Sequence, residues 1–460
     1  MNMKKWGKVF AAMCMALAVS STVFAQPQHV SAALCREQKT SIKINVEAVG
    51  GAENWDGVTN VSQFLDENGE YCFAYDKGSY VCVVKTKKGV PQKKQIKLKK
   101  KAKLFGAAIC DADGYYYVVT GEANTGNDTG KETVFVSKYD AAGRRVATVG
   151  DNGSSSLAYY FDSGYYTKEP FSAGNCDIAV NGNYVAVNYA REMYSGHQSN
   201  SLFVVDKNTM TLTKIDKYYN SHSFAQRVIP CGDRFLLASE GDCYDRAFTV
   251  SLADAQGGSC SSSNTFDFWV EEGTLDRYDM CAINNNFAHL GGIAACTDQN
   301  AALVATSVKS LSSRAKKEEE QLFIQIFDPN KQLDSADAYV TAGRRSGLAG
   351  PNGDEQVTNY GVKWLTSYNH SYRLKNPQVV ATAKGNYVIL FERYKDGSYQ
   401  GVYTMTVDSG GNKLQKPQLL SKNAYLNPGE MPVYANGRVY WAGNNGKSAY
   451  LHIYSFAVTV

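Results

Sequence analysis

DENGEYCFAY, residues 66–75, is the stretch on which the reading of the fold turns. An Asp/Asn/Gly turn leads into an aromatic residue and an alternating apolar strand. The arrangement returns as DADGYYYVV (111–119), VNGNYVAVNY (180–189), PCGDRFLLAS (230–239), TDQNAALVAT (297–306), AKGNYVILFE (383–392) and YANGRVYWAG (434–443). Each turn carries a Gly, or Asn300 in the fifth copy, able to take the positive φ of a tight hairpin. Recurrence of one short pattern marks a repeat architecture rather than a string of unrelated domains.

Working outward, most copies are followed by a second strand and a second turn, such as KTKKGV (85–90), KYDAAGRR (138–145) and VDSGGNK (407–413). Another short apolar strand comes next, for example KQIKL (94–98) or FDFWV (266–270). With the strand before the first turn, such as FGAAI (105–109), FAQRVI (224–229) or EMPVY (430–434), each unit supplies four antiparallel strands. Seven such units predict an all-β, seven-bladed β-propeller. Eight blades or two stacked sandwiches are the weaker alternatives. The last unit stops after three strands, so TSIKINVEAV (40–49) is expected to supply its outer strand and close the ring.

The first 25 residues read as a secretory signal: Lys4, Lys5 and Lys8, an apolar run, then Val23-Phe24-Ala25 as the exit. That run is too short to span a hydrocarbon core of about 30 Å, so no transmembrane segment is expected and the protein is placed outside the cell or in its envelope. The expected layout is residues 1–25 signal, 26–39 a short lead and 40–460 one propeller domain. Without the signal, 45 basic face 44 acidic side chains, which excludes a globally basic nucleic-acid binder. The 31 Tyr and 40 Gly against 10 Pro favour strands and tight turns.

Ten cysteines remain once Cys14 leaves, and an even count in an exported chain permits disulfides. In the first unit, a three-residue loop Asp76-Lys77-Gly78 would pair Tyr75 with Ser79 and set Cys72 opposite Cys82, predicting a bridge there. Two buried thiols are the alternative. There is no C-x-x-C and no Cys/His cluster, so neither a zinc site nor a cofactor is expected. Cys35 reads as a further disulfide candidate, with lipid attachment as a lesser alternative.

Connections after the second and fourth strands are often long, so one face of the ring is elaborated and the other trimmed. The long segments, among them 121–132, 188–201, 239–246, 310–320 and 341–376, are rich in Tyr and include Trp364. Such rings suit sugars and protein surfaces, or else cover small cores of the loops themselves. Two related runs, NSHSFAQR (220–227) and NHSYRLKN (369–376), precede first strands and would bring His222, Arg227, His370 and Arg373 to the channel mouth. Glu240, Asp242, Tyr244, Asp245 and Arg246 would stand beside them. Imidazoles with carboxylates could hold a divalent metal or act as acid and base; the bland reading is that they satisfy backbone groups. Ten lysines between Lys85 and Lys103 suggest contact with an anionic cell-wall polymer, or protection of an outer strand edge.

HSFAQRVIPCGDRFLLASEGDCYDRAF (222–248) resembles a stretch of uncharacterised exported or lipoprotein β-propeller proteins of bacteria. The run Ser221 to Phe224 and the later Gly241, Asp242 and Tyr244 carry the likeness. It implies a propeller fold and an exported location, and it carries over no catalytic residue. There is no G-x-S-x-G elbow, and Val407 to Gly411 (VDSGG) reads as a turn. The leading expectation is a non-catalytic propeller that binds a glycan or protein through its long-loop face. The alternative is a propeller-fold lyase or glycosidase using the channel-mouth histidines and carboxylates; a purely architectural envelope component is a third reading.

Overall fold

The computed structural model describes residues 35–44, 59–126, 128–156, 163–172, 174–215, 218–241, 247–267, 287–295, 300–309, 320–349, 356–444 and 449–458. Innermost strands Val61–Leu65, Leu104–Cys110, Cys176–Asn181, Ser223–Cys231, His289–Ala295, Tyr372–Ala381 and Val433–Ala435 each begin one antiparallel sheet. These are blades one to seven of a β-propeller, as the repeats predict. Among the described residues the only helices are single 3₁₀ turns, and none is long and apolar enough to cross a membrane.

The recurrent turn owes its shape to local chemistry. Asp66 Oδ1 accepts from the N–H groups of Asn68 and Glu70 at 2.9 and 3.0 Å, and Asp111 Oδ1 does the same for Asp113 and Tyr115 at 3.0 and 2.9 Å. The side chain replaces a backbone partner inside the turn, and Gly69 and Gly114 take the left-handed φ of +72° and +80° that follows.

Seven apolar clusters hold the ring together, one at each junction between neighbouring blades. Strand alternation is the cause, because odd and even positions of one blade face opposite neighbours. Between blades four and five, Phe266 stacks on Phe323 at 4.5 Å, and in blade seven Trp441 stacks on Tyr454 at 5.1 Å. Fully burying a side chain of this size contributes roughly 1.5–3 kcal/mol. The ring closes as expected in kind: Arg36–Lys43 pairs antiparallel with Tyr450–Ala457 as the outer strand of blade seven, beginning at Arg36 rather than residue 40. Thr40 Oγ1 donates to Leu451 O at 2.6 Å, and His452 Nδ1 lies 2.6 Å from Glu37 Oε1.

Four expectations need correction. Blade one turns at Gly78-Ser79, with Lys77 opposite Tyr80, so Cys72 faces Lys85 and Cys82 faces Tyr75. The register differs by an odd number of residues, which sends the two cysteines to opposite faces. Cys72 packs between blades one and two, Cys82 between blades one and seven, and the predicted bridge does not form. Cys35 is likewise a free thiol, and burial pushes it, Cys72 and Cys110 up to about 12, so none is a reactive thiolate. Segment 341–376 is more than a link: Lys363–Trp364 is the fourth strand of blade five, and Arg344–Ala349 with Gln356–Tyr360 form an extra hairpin. Segment 188–201 is mostly strand, because Tyr184–Met193 and Gln198–Asp206 run on to the turn. The predicted signal sequence lies outside the described residues.

Candidate functional site

An innermost strand has a ladder partner on one side only, so some of its N–H groups need other acceptors. Among the described residues, side chains of the preceding blade supply them at four junctions, and at a fifth they hold the segment that leads into the inner strand. Ser62 Oγ accepts from Ala108 N at 3.0 Å, Asp177 Oδ2 from Val228 N at 2.8 Å and Glu240 Oε2 from Leu290 N at 2.8 Å. Glu392 Oε1 accepts from Leu426 N at 2.8 Å, and Glu430 Oε2 from Gln63 N at 2.9 Å. Glu240, a predicted site residue, is therefore a tie between blades four and five.

The segment Asn427-Pro428-Gly429-Glu430-Met431, just before the inner strand of blade seven, crosses the axis of the ring. Its own neighbours are blades six and one, where Gln378 Nε2 donates to Asn427 O at 2.5 Å and Gln63 Nε2 to Met431 O at 3.5 Å. It also reaches the far side. Arg227 Nη2 of blade four donates to Pro428 O at 3.4 Å, and a Cβ on Gly292 of blade five would sit 2.1 Å from Met431 Sδ. Arg227 also donates to Gly291 O at 3.0 Å and Gln226 O at 2.9 Å, so its guanidinium joins blades four, five and seven.

Two carboxylates share this axial region with Arg227. Burial pushes Asp177 up to about 6, against the pull of the Val228 N–H and of Arg227. Burial also pushes Glu430 well above the carboxylate range, and the charge of Asp177 adds to the effect. The sequence reading missed both, since neither lies in the histidine-bearing runs.

Blade six carries the aromatic surface of the long-loop face. Arg393 stands over the Tyr403 ring at 3.9 Å, with the rings of Tyr372 and Tyr368 at 5.1 and 5.6 Å, and its Nη2 donates to the Tyr403 hydroxyl. Tyr368 and Tyr372 are half-buried and 5.2 Å apart, and Lys395 lies 5.7 Å from the Tyr372 ring. On the other flank Tyr399 stacks on Tyr425 at 4.2 Å and meets Tyr394 edge-on at 5.2 Å, with Lys375 over Tyr394 at 5.3 Å. Arg373 sits opposite Tyr394 in the ladder. Among the described residues, Nε of Arg373 and Nε of Arg393 are buried without a hydrogen-bond partner.

The remaining predicted residues fall in different places. His222 lies against His197, ring centres 4.1 Å apart, a partner that stands in another hairpin and that the sequence reading missed. His370 is exposed at the start of blade six. Trp364 is built into blade five, edge-on to Phe323 at 5.3 Å, with Lys309 over its ring. Asp242, Tyr244, Asp245 and Arg246 lie outside the described residues. Of the lysine run, Lys85 pairs with Glu67 at 2.6 Å and Lys100 with Asp76 at 2.8 Å, while Lys97 and Lys99 are exposed on the outer strand Ile96–Lys99.

No protein-family profile matches the chain, and no curated protein matches its sequence. Solved structures align along most of the chain. A Dyadobacter fermentans protein of unknown function aligns at 9% identity and a TM-score of 0.40, covering 92% of this chain and 99% of that one. A chain from the S. cerevisiae Dbp5 complex with Nup159 and Gle1 aligns at 10% identity and 0.40, covering 92% and 95%. Trypanosoma rangeli sialidase aligns at 10% identity and 0.39, covering 80% of this chain and 58% of that one. Likeness at this level says nothing about chemistry.

Proposed function

We propose that the protein is an exported recognition propeller that binds a glycan through its long-loop face, at the rim of blade six. The observation that carries this reading is Arg393 set among the rings of Tyr403, Tyr372 and Tyr368. Flat aromatic faces cover the C–H faces of sugar rings, while phenol and guanidinium donors hold hydroxyls and carboxylates. Arg393 and Lys395 share the face of blade six that carries Tyr372, which favours acidic over neutral glycans. A glycan array followed by a reducing-end assay on each hit tests the reading. Bound, uncleaved glycan supports it; no glycan binding leaves a protein ligand or a purely architectural role instead.

One observation favours the catalytic alternative. Asp177 and Glu430 are two carboxylates with raised proton affinities in one region, a combination that suits acid and base roles. Both are already committed to backbone N–H groups, and Glu430 belongs to the segment that bridges the axis. Cleavage of an array hit that disappears in Glu430→Gln, with binding retained, would establish this reading over recognition alone.

A further inference from the structure

We propose that His197, His222 and Ser221 form a binding site for a divalent transition-metal ion of the zinc or copper type. His197 Nε2 and Ser221 Oγ are 2.7 Å apart, and Ser221 Oγ and His222 Nδ1 are 3.5 Å apart. Two imidazole nitrogens thus converge on one hydroxyl oxygen. Ligand atoms bound at about 2.1 Å in tetrahedral or octahedral geometry lie about 3.0–3.4 Å from one another, and the two measured separations bracket that range. The rings lie 4.1 Å apart at a tilt of 40°, so an ion entering between the three donors requires only small side-chain shifts. Imidazole is a preferred ligand of Zn²⁺, Cu²⁺ and Ni²⁺ and a poor one for Mg²⁺ and Ca²⁺.

The backbone under these groups is pinned. Asn220 N donates to Asn200 Oδ1 at 2.7 Å, and His222 N donates to Gln198 O at 2.8 Å. Tyr218 hydroxyl donates to Asn188 Oδ1 at 3.0 Å beneath them, and the hairpin bearing His197 is closed by Met193 N donating to His197 O at 2.8 Å. His222 itself has a φ of +46°, a left-handed conformation that a non-glycine residue adopts at a cost. In that conformation its Nδ1 faces Ser221. The hydrogen bonds of the surrounding backbone hold it there. Among the described residues no third His, Cys, Asp or Glu joins the pair, so the two imidazoles and the Ser221 hydroxyl are the donors on which the site is argued.

The inference is independent of glycan binding. Calorimetric titration of untagged protein with ZnCl₂ is expected to show one site per chain, with MgCl₂ giving no heat. His197→Gln and His222→Ala should each weaken zinc binding at least about tenfold, since even loss of an outer-shell partner can cost that much. A circular dichroism melt checks that both variants remain folded, and His197→Gln, on a hairpin turn, decides the matter should His222→Ala fail to fold. With Cu²⁺, the electron paramagnetic resonance spectrum should carry nitrogen hyperfine structure that His197→Gln reduces. No zinc heat from the wild type, or zinc binding unchanged in the folded variants, overturns the proposal.

Discussion

Blades four and six meet the same face of the ring with the same ingredients, an arginine and a glutamate, and use them differently. Glu240 and Glu392 play one part in both, each accepting the N–H of a residue leading into the next blade. The arginines diverge. Arg227, 2% exposed, donates to three backbone carbonyls and helps to fix the segment across the axis. Arg393 lies among tyrosine rings at the rim, with one phenol as its hydrogen-bond partner. A guanidinium surrounded by carbonyls serves architecture, because removing it leaves buried acceptors without donors. A guanidinium laid on the buried Tyr403 ring and flanked by the half-buried rings of Tyr368 and Tyr372 leaves an amphipathic surface open to a ligand.

The contrast breaks most directly on stability. Arg227→Ala is expected to lower the unfolding free energy by about 2–5 kcal/mol, since the carbonyls of Gly291 and Pro428 lose a donor while that of Gln226 keeps Asn175, whereas Arg393→Ala should cost less than about 2 kcal/mol. Urea denaturation of the two variants checks this, and equal losses would erase the distinction. On binding the order reverses. Tyr372→Ala should weaken an array hit roughly tenfold with little change in the urea midpoint, the scale expected for one aromatic contact; Arg227→Ala, where it folds, should bind normally.

A smaller effect concerns pH. Burial raises Asp177 to about 6 and Glu392 to about 7, so both hold a proton more tightly in the folded than in the unfolded chain. Stability from such groups is full below about pH 4 and is lost as the pH rises through about 6 to 7. The urea midpoint should therefore decline between about pH 4 and about pH 7, and Glu392→Gln should make that decline shallower. An identical slope in the variant would mean that Glu392 does not titrate in this range. The smallest effect is at the rim: Lys395 is exposed, and Lys395→Ala should weaken an acidic glycan only about two- to threefold, with the difference vanishing at high salt.

What the sequence disclosed follows the range of the interactions. The turn aspartates Asp66 and Asp111 act within four residues of themselves, so the repeats and the blade number were legible. Ring closure was legible because the last unit lacked one strand. The register of blade one was not, since Lys77 or Ser79 could each sit in or beside the turn, and that choice decided which way Cys72 and Cys82 face. The axial crossing was illegible for a deeper reason. EMPVY reads as an ordinary first strand, yet strand pairing begins only at Val433, and Pro428 and Met431 meet blades four and five through contacts that no local pattern encodes. His197 and His222 belong to the same class: two hairpins had to be packed before their rings could meet.

Hydrogen–deuterium exchange of the whole protein, with and without a saturating array hit, tests the central claim most directly. Recognition at blade six predicts protection on binding within Tyr372–Ala381 and across the Lys395–Ser398 turn, with Asn427 to Met431 unchanged. Protection confined to the axial segment and the inner strand of blade four, with blade six unaltered, would contradict it.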